Sequence, residues 1–237
     1  MRKFNRKNDQ IRDISIETNI NKNSEGSCII RLGDTHVICT ASFENDVPQW
    51  LKNSDSGWIT AEYGMLPGST STRNRREAAK GKQSGRTVEI QRLIGRSLRT
   101  VVDLKKIKGS QIILDCDVIQ ADGGTRTASI SGAFVALSLA IKRLLNKKIL
   151  KENPIKDYLA AISCGILNEE IYVDLDYTED SQASVDANFI FSETLGIAEV
   201  QVSGERSTFK YEDLKQMIKM SEISVRKIFE IQKKVLN

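Results

Sequence analysis

The sequence is poor in the residues on which several common kinds of active site depend. It has one histidine in 237 residues, His36, which lies in an alternating strand-like run. A single histidine excludes multi-histidine metal sites and argues against a Ser-His-Asp triad. A strand histidine is more typical of a satisfied or exposed side chain than of a catalytic base. The chemistry must therefore rest on other side chains.

Cysteine, proline and long apolar runs are also scarce. The four cysteines lie far apart, without the C-x-x-C spacing of zinc or redox sites, so we expect buried free thiols. Three prolines and no Gly/Ser-rich linker predict one compact unit spanning residues 1–237. No run approaches the roughly 18 apolar residues of a membrane span, and the charged N-terminus lacks a signal-like core. We expect a soluble, cytoplasmic protein without a membrane partner.

Positive charge is abundant in one segment. The net charge is only +4, but residues 73–99 hold nine cations and two anions, so this segment alone carries +7. A local basic field of that size favours a polyanion such as RNA. For single residues such as Arg75 or Lys80, a solvated helix surface is the favoured interpretation.

Apolar periodicity predicts strands, helices, strands and a final helix, in that order. Helical spacing begins near Thr87 and again near Thr125, and an amphipathic helix closes the chain. Alternation predicts two strands within residues 27–43 and further strands at 58–65, 111–121, 159–167, 171–175, 185–191 and 197–202. This order predicts an α+β sandwich in which helices cover mixed sheets.

Residues 115–127 have the pattern of an anion pocket. An extended apolar run turns through two glycines into Gly124-Thr125-Arg126, where a helical pattern begins. Glycines let the backbone approach a phosphate, the helix start offers free N–H groups, and arginine adds a fork of donors. Thr125 and Thr127 add hydroxyl groups. A second basic turn, residues 81–87, brings Arg86 to the start of another helix, so both turns could converge on one phosphate.

Carboxylates are crowded into residues 174–186. Such crowding favours metal ligands, partners for cations, or a proton donor. The five residues are Asp174, Asp176, Glu179, Asp180 and Asp186. For the first three, simple pairing with arginines is an equally weighted alternative.

Three blocks together resemble one enzyme family, ribonuclease PH. They read GWITAEYGMLP at 57–67, GKQSGRTVEIQRLIGRSLR at 81–99 and DCDVIQADGGTRT at 115–127, within a likeness that extends from about Glu25 to about Gln201. The resemblance implies a ribonuclease PH fold of two similar β-α halves. It also implies a phosphorolytic 3′-to-5′ exoribonuclease that removes extra 3′ nucleotides from tRNA precursors. Inorganic phosphate would be the co-substrate and nucleoside diphosphates the products.

The motifs and the resemblance assign roles to particular residues. Arg86, Gly124, Thr125 and Arg126 are predicted to bind phosphate. Asp180 and Asp186 are predicted to be catalytic, as general acid toward the leaving 3′ oxygen or as ligands of Mg²⁺, and the sequence does not apportion these roles. Predicted RNA-binding residues are Arg73, Arg76, Arg92, Arg96 and Arg99. The last three have an alternative as partners of acidic groups in the fold or in a neighbouring subunit. The resemblance implies a homohexamer, a trimer of dimers.

The chain departs from the family pattern in a few places. Gly68 and Ser71 stand where an arginine and a histidine are usual, so one RNA-contacting cation is missing and affinity for tRNA is in question. Residues 4–6 read Phe-Asn-Arg rather than Asp-Gly-Arg, and residues 202–204 read Val-Ser-Gly in place of the usual Gly-Thr.

Three other readings compete with a ribonuclease PH. An exosome-type or polynucleotide-phosphorylase-type core shares the Asp-Gly-Gly-Thr-Arg segment, but the chain length and the unbroken 81–99 block argue against it. A non-catalytic RNA-binding scaffold would be free to lose Arg86, Arg126, Asp180 and Asp186, and all four are retained. A P-loop NTPase lacks support because the order Gly-x4-Gly-Lys-Ser/Thr does not occur.

Overall fold

Nine strands form two sheets in the computed structural model, which describes residues 2–237 and leaves Met1 outside the description. The first sheet has the order β1-β2-β3-β5-β4, and only its β4–β5 pair is parallel. The second has the order β7-β6-β8-β9 and is antiparallel throughout. The strands are β1 Ile14–Thr18, β2 Gly26–Leu32, β3 Thr35–Glu44, β4 Trp58–Met65, β5 Gln111–Gln120, β6 Leu159–Leu167, β7 Glu170–Val173, β8 Val185–Ser192 and β9 Gly196–Gly204.

Four α-helices of the described chain cover these sheets. They are α1 Gly85–Thr100, α2 Thr125–Asn146, α3 Tyr177–Gln182 and α4 Tyr211–Leu236. Helix α1 packs on β4, α2 lies between the first sheet and β6, and α4 packs on β6, β7 and β1. The predicted α+β class with helices covering the sheets is therefore confirmed, although only the first sheet is mixed and the second is antiparallel throughout.

Helix α2 is the central element of the core. It is apolar on most sides because one face meets β2 and β3 and another meets β6. By length and mean hydropathy alone α2 could cross a membrane, although serine, threonine and glycine interrupt its apolar run. In the fold, however, 72% of its most apolar 18-residue window is buried, as expected for a core helix.

Two apolar clusters lie on either side of this centre. The larger joins the first sheet to α1 and α2, and the smaller joins the second sheet to α4. Ile14 and Tyr158 pack against both clusters, so the two halves share a boundary. That residues 1–237 fold as one unit stays a prediction.

Local capping explains where the functional helices begin. Helix α1 begins at Gly85, before the predicted Thr87, because the Ser84 hydroxyl accepts a hydrogen bond from Thr87 N at 3.1 Å. Helix α3 was not predicted. It begins at a capping box in which Asp176 accepts from the Glu179 amide and Glu179 accepts from the Asp176 amide. These caps place Arg86 and Asp180 on short, fixed first turns.

Candidate active site

The turn between β5 and α2 is shaped by two consecutive glycines. Gly123 and Gly124 have φ angles of 75° and 67°, a region that disfavours other residues. A Cβ atom on Gly123 would lie 2.5 Å from the Leu175 carbonyl oxygen, so the turn packs directly against the backbone of the acidic segment. Gly124 is the N-cap of α2 and has no side chain to bond the first amides. Those N–H groups and the helix dipole are suited to an anion.

The two threonines of this turn have different partners. Thr125 Oγ1 accepts a hydrogen bond of 2.9 Å from the phenol of Tyr63, a buried residue of β4. Burial raises the pKa of Tyr63, which keeps the phenol protonated as a donor. The Thr125 hydroxyl hydrogen is then left for another acceptor. Thr127, by contrast, donates to the Gly124 carbonyl oxygen at 2.9 Å and is buried, so its predicted use as an anion donor does not fit.

Arg86 and Arg126 both lie near the same buried phenol and the same two carboxyl groups. Arg86 lies on the first turn of α1 and is exposed, and Arg126 lies on the first turn of α2. Arg126 has only long contacts of 3.5 Å to Glu89 and Gln201. Both guanidinium groups lower the pKa of Tyr63, so both are within electrostatic reach of the same phenol. Within residues 2–237, neither arginine forms an ion pair shorter than 3.5 Å.

Two carboxylates lie on the other side of the turn. Asp186 lies on β8 and is partly buried, and Asp180 lies on α3 at the surface. Burial raises the pKa of Asp186 to about 6, the charge of Asp180 adds to the rise, and Arg126 and Arg86 oppose it. Although Asp180 is partly open to solvent, the protein around its carboxyl group removes some of the water and raises its pKa, and the same two arginines oppose the rise. Two cations and two carboxylates thus form one electrostatic cluster.

Sequence reasoning missed two members of this cluster. Glu205 follows β9 and its charge raises the pKa of both Asp180 and Asp186. It lies in a segment without a recognisable motif, so no signal identified it. Tyr63 stands in the GWITAEYGMLP block, and strand alternation places it on the buried face with Ile59 and Ala61. That alternation was the available signal.

The carboxylates of this cluster suit a divalent ion only when phosphate groups of a substrate supply further ligands. No three His, Cys, Asp or Glu side chains within residues 2–237 converge as a ready-made metal cage. Asp180 and Asp186 are near enough for one charge to raise the pKa of the other. Mg²⁺ is commonly held by one or two carboxylates, with water and phosphate oxygens completing its shell. These two aspartates therefore fit Mg²⁺ when phosphate groups are also present.

A basic cleft of ≈ 800 Å³ opens beside Arg86. Its walls are the end of β4 and the loop that precedes α1. Five cations line it: Arg75, Arg76, Lys80, Lys82 and Arg86. Arg73 is exposed on the same loop but does not line the cleft, and Asp180 and Asp186 lie outside its walls. The cleft is thus a path that leads toward the arginine side of the cluster.

The arginine stripe on α1 is used partly within the fold. Arg96 forms an ion pair with Glu199 of β9. Arg99 donates to the Ile59 carbonyl oxygen at 2.7 Å and stacks 4.2 Å from the centre of the Trp58 ring. Arg92 is exposed. The alternative that these arginines bind acidic groups of the fold therefore holds for Arg96. Arg99 packs on an aromatic ring instead. RNA binding by the stripe stays a prediction.

The remaining acidic residues of 174–186 are structural. Asp174 and Glu179 pair with buried arginines near the N-terminus, and Asp176 caps α3.

The prediction of buried free thiols is also confirmed for all four cysteines. Burial raises the pKa of Cys164 to about 12, so it is unreactive.

Comparison with known proteins agrees with this architecture. The models of the 3′ exoribonuclease family match residues 10–143 with domain 1 and residues 157–224 with domain 2. Rice (Oryza sativa) Rrp46 is 19% identical, covers 98% of this chain and 99% of its own, and has a TM-score of 0.80. An Archaeoglobus fulgidus exosome chain, solved with RNA bound to the active site, is 22% identical over 95% of this chain and 90% of its own, also with a TM-score of 0.80. A chain of an archaeal exosome core is 21% identical over 96% and 89%, with a TM-score of 0.74. At these identities the structures show a shared fold.

Proposed function

Because the chain belongs to the 3′ exoribonuclease family, we propose that it is a phosphorolytic 3′-to-5′ exoribonuclease of the ribonuclease PH type. The observation that carries the proposal is the cluster in which the charges of Arg86 and Arg126 act on both Asp180 and Asp186, next to the uncapped start of α2 at Gly124. Two uncommitted guanidinium groups beside free backbone N–H groups are suited to inorganic phosphate.

In this reaction the nucleophile is the bound phosphate itself. Arg86, Arg126, the Thr125 hydroxyl and the amides that follow Gly124 hold it in place. A phosphate oxygen attacks the phosphorus of the terminal phosphodiester, and the bond from that phosphorus to the 3′ oxygen of the preceding nucleotide breaks. The products are a nucleoside diphosphate and an RNA one nucleotide shorter. The work of the protein is positioning and charge stabilisation, so no serine, cysteine or histidine nucleophile is required.

The leaving 3′ oxygen needs a proton. With a pKa of about 6, Asp186 is protonated in part of the molecules near neutral pH and is the better donor of the pair. Asp180, alone or with Asp186, would hold Mg²⁺, which neutralises charge on the crowded phosphates when bound. The arginines lower the pKa of both carboxyl groups and so limit the protonated fraction.

The RNA enters along the basic cleft in this proposal. Arg76 lines the cleft and Arg73 is exposed on the same loop, where both can contact phosphates of a single strand. The substrates are tRNA precursors with extra 3′ nucleotides, and the one RNA-contacting cation missing at Gly68 and Ser71 weakens binding of the tRNA body. We further propose a cytoplasmic homohexamer, a trimer of dimers. Two structures with the same fold are an archaeal exosome and an archaeal exosome core.

The test is to incubate the purified protein with Mg²⁺ and a tRNA that carries a few extra 3′ nucleotides, with and without inorganic phosphate. We expect nucleoside diphosphates only when phosphate is present. Monophosphates regardless of phosphate would indicate hydrolysis, and intact RNA that still binds would indicate a scaffold.

Variants locate the activity in the site. Arg126→Ala and Arg86→Ala should each lower turnover by roughly 10²-fold, as for loss of one donor to transition-state charge, with a smaller effect on RNA binding. Arg143→Ala, at the far end of the same α2, is the matched control because its guanidinium contacts only the Ser24 carbonyl oxygen in the described chain. Near-normal phosphorolysis by either active-site variant would contradict the pocket assignment.

A further inference from the structure

Three arginines near the start of the chain are buried, which is unusual for this residue type. Arg2, Arg6 and Arg12 are 9%, 7% and 1% exposed. Taking a guanidinium out of water is costly unless ion pairs and hydrogen bonds compensate, and apolar residues of similar size often stabilise a fold at least as well. We therefore expect the three guanidinium groups to fix the relative positions of the segments that they bind. Their hydrogen-bond partners identify those segments.

Arg12 has the most complete set of contacts. Its Nε and Nη2 atoms form a two-pronged pair with the Asp174 carboxylate, at 3.0 Å and 2.7 Å, and its backbone N–H donates to the same carboxylate at 2.7 Å. The other side of the guanidinium donates to the carbonyl oxygen of Asp122, with a longer contact of 3.4 Å to that of Gly123. One side chain thus binds two segments that are about fifty residues apart in sequence.

Each of those segments leads directly into half of the active site. Asp122 and Gly123 precede the phosphate turn of Gly124, Thr125 and Arg126. Asp174 precedes α3, which carries Asp180. Arg2 extends the same connection, because its guanidinium forms a two-pronged pair with Glu179, the neighbour of Asp180, at 2.7 Å and 2.9 Å.

The two segments touch without any spacer between them. A Cβ atom on Gly123 would lie 2.5 Å from the Leu175 carbonyl oxygen and 2.6 Å from the Asp176 carbonyl carbon. The Tyr177 amide also donates to the Asp122 carboxylate at 3.4 Å. Because the backbones are already in contact, a small shift at Arg12 changes the separation of Arg126 and Asp180.

We propose that Arg12 is a positioning residue that clamps the phosphate turn, residues 122–126, against the acidic segment, residues 174–180. The inference rests on the proposed function, since it assigns the clamped parts to phosphate and to the acidic pair. Arg12 touches no reacting atom. It holds the anion donors and the carboxylates at the separation that one phosphate and one RNA end require.

Arg12→Lys is the decisive variant. Lysine keeps the positive charge beside Asp174, but a single ammonium group cannot reproduce the planar fork that binds both segments. If Arg12 served only to balance the charge of Asp174, the Arg12→Lys variant would keep the stability and the activity of the wild type. The clamp predicts instead a protein that still folds, with a melting temperature lowered because lysine leaves buried carbonyl oxygens unpaired, while the Kd for inorganic phosphate, measured by titration calorimetry, rises about tenfold. Turnover should fall by about 10²-fold, as for a misplacement on the order of 1 Å.

A second variant tests the clamp without changing a charge, and it can be used if Arg12→Lys does not fold. Thr35 is buried, donates to the Gly123 carbonyl oxygen at 2.6 Å and accepts from the Asp122 amide at 2.9 Å, so it holds only the phosphate turn. Thr35→Val removes both of these neutral hydrogen bonds and should raise the phosphate Kd by about five- to tenfold. Arg143→Lys is the control for the arginine-to-lysine change and should bind phosphate as the wild type does.

The outcomes separate the clamp from the function. Phosphate binding and turnover within about twofold of wild type in Arg12→Lys and Thr35→Val would overturn the clamp. If Arg12→Lys does not fold, Thr35→Val decides by the same criterion. A wild-type protein that does not bind phosphate overturns the clamp as well. A wild-type protein that binds phosphate but releases no nucleoside diphosphate rejects the proposed function, while the comparison of phosphate affinities still decides on the clamp.

Discussion

Replacing Asp186 with asparagine is expected to stabilise the protein at alkaline pH while it removes the proposed proton donor. Burial and the neighbouring Asp180 raise the pKa of Asp186 to about 6, from an ordinary 3.8. Because the folded-state pKa lies above the unfolded one, folding opposes ionisation of this group. The loss of folding free energy from ionising Asp186 is absent below about pH 4, where the group is protonated in both the folded and the unfolded state. It grows up to about pH 6 and is constant above that pH.

The size of the effect follows from the shift. About two pKa units correspond to at most about 3 kcal/mol, at 1.36 kcal/mol per unit. Asp186 is only partly buried, so solvent screening reduces this to about 1–2 kcal/mol. For a chain of this length each kcal/mol changes the melting temperature by about 2–4 °C, so we expect Asp186→Asn to melt about 2–8 °C higher at pH 8.

Thermal unfolding followed by circular dichroism in EDTA, at pH 8 and at about pH 4.5, measures this gain. Asp13→Asn is the matched control, because Asp13 is exposed and its carboxylate has no hydrogen bond within the described part of the chain. The reasoning is refuted if Asp186→Asn gains nothing at pH 8, or if it gains as much at the acidic pH. Adding Mg²⁺ should raise the melting temperature of the wild type more than that of the variant, because the variant lacks one of the two carboxylates.

Two further predictions concern the phosphate turn and the RNA path. Tyr63→Phe removes only the donor to Thr125, so the KM for phosphate should rise by about two- to tenfold, the range for one neutral hydrogen bond. Initial rates at varied phosphate concentration measure this KM, and Tyr211→Phe on the exposed start of α4 is the control. An unchanged KM would contradict the role of Tyr63. Arg73→Ala should flatten the slope of log affinity against log salt for single-stranded RNA by about 0.7. Arg226→Ala, on the exposed face of α4, should leave that slope unchanged, and an unaltered slope in Arg73→Ala would reject the contact.

Long periodic segments could be predicted from the sequence because their apolar spacing reports which face is buried. Helices α1, α2 and α4 and eight of the nine described strands follow such spacing. Strand β1 was missed because it is a five-residue edge strand with one fully buried residue, Ile16. Helix α3 has only six residues and too few turns for a periodic signal, although the Asp176-x-x-Glu179 cap could have indicated it.

The candidate site could be assembled from the sequence only through motifs. The glycine-rich turn and the resemblance selected Arg86, Arg126, Asp180 and Asp186, which the fold brings into one electrostatic cluster. Their individual roles stay predictions. Contacts between distant segments could not be read from spacing, because nothing local links Arg12 to Asp174 or Arg96 to Glu199.

The buried arginines also set an order of events during synthesis. Arg12 and Asp174 are 162 residues apart, and Arg2 and Glu179 are 177 apart. A ribosome that adds about 5–20 residues per second needs roughly 10–30 s to make the partner carboxylates after the arginines have emerged. During that interval the three guanidinium groups lack their native carboxylate partners, and the turn that follows β5 lacks one of its anchors. The nascent first half therefore cannot complete the phosphate turn by itself, and the site is finished only when the second half folds against the first residues of the chain.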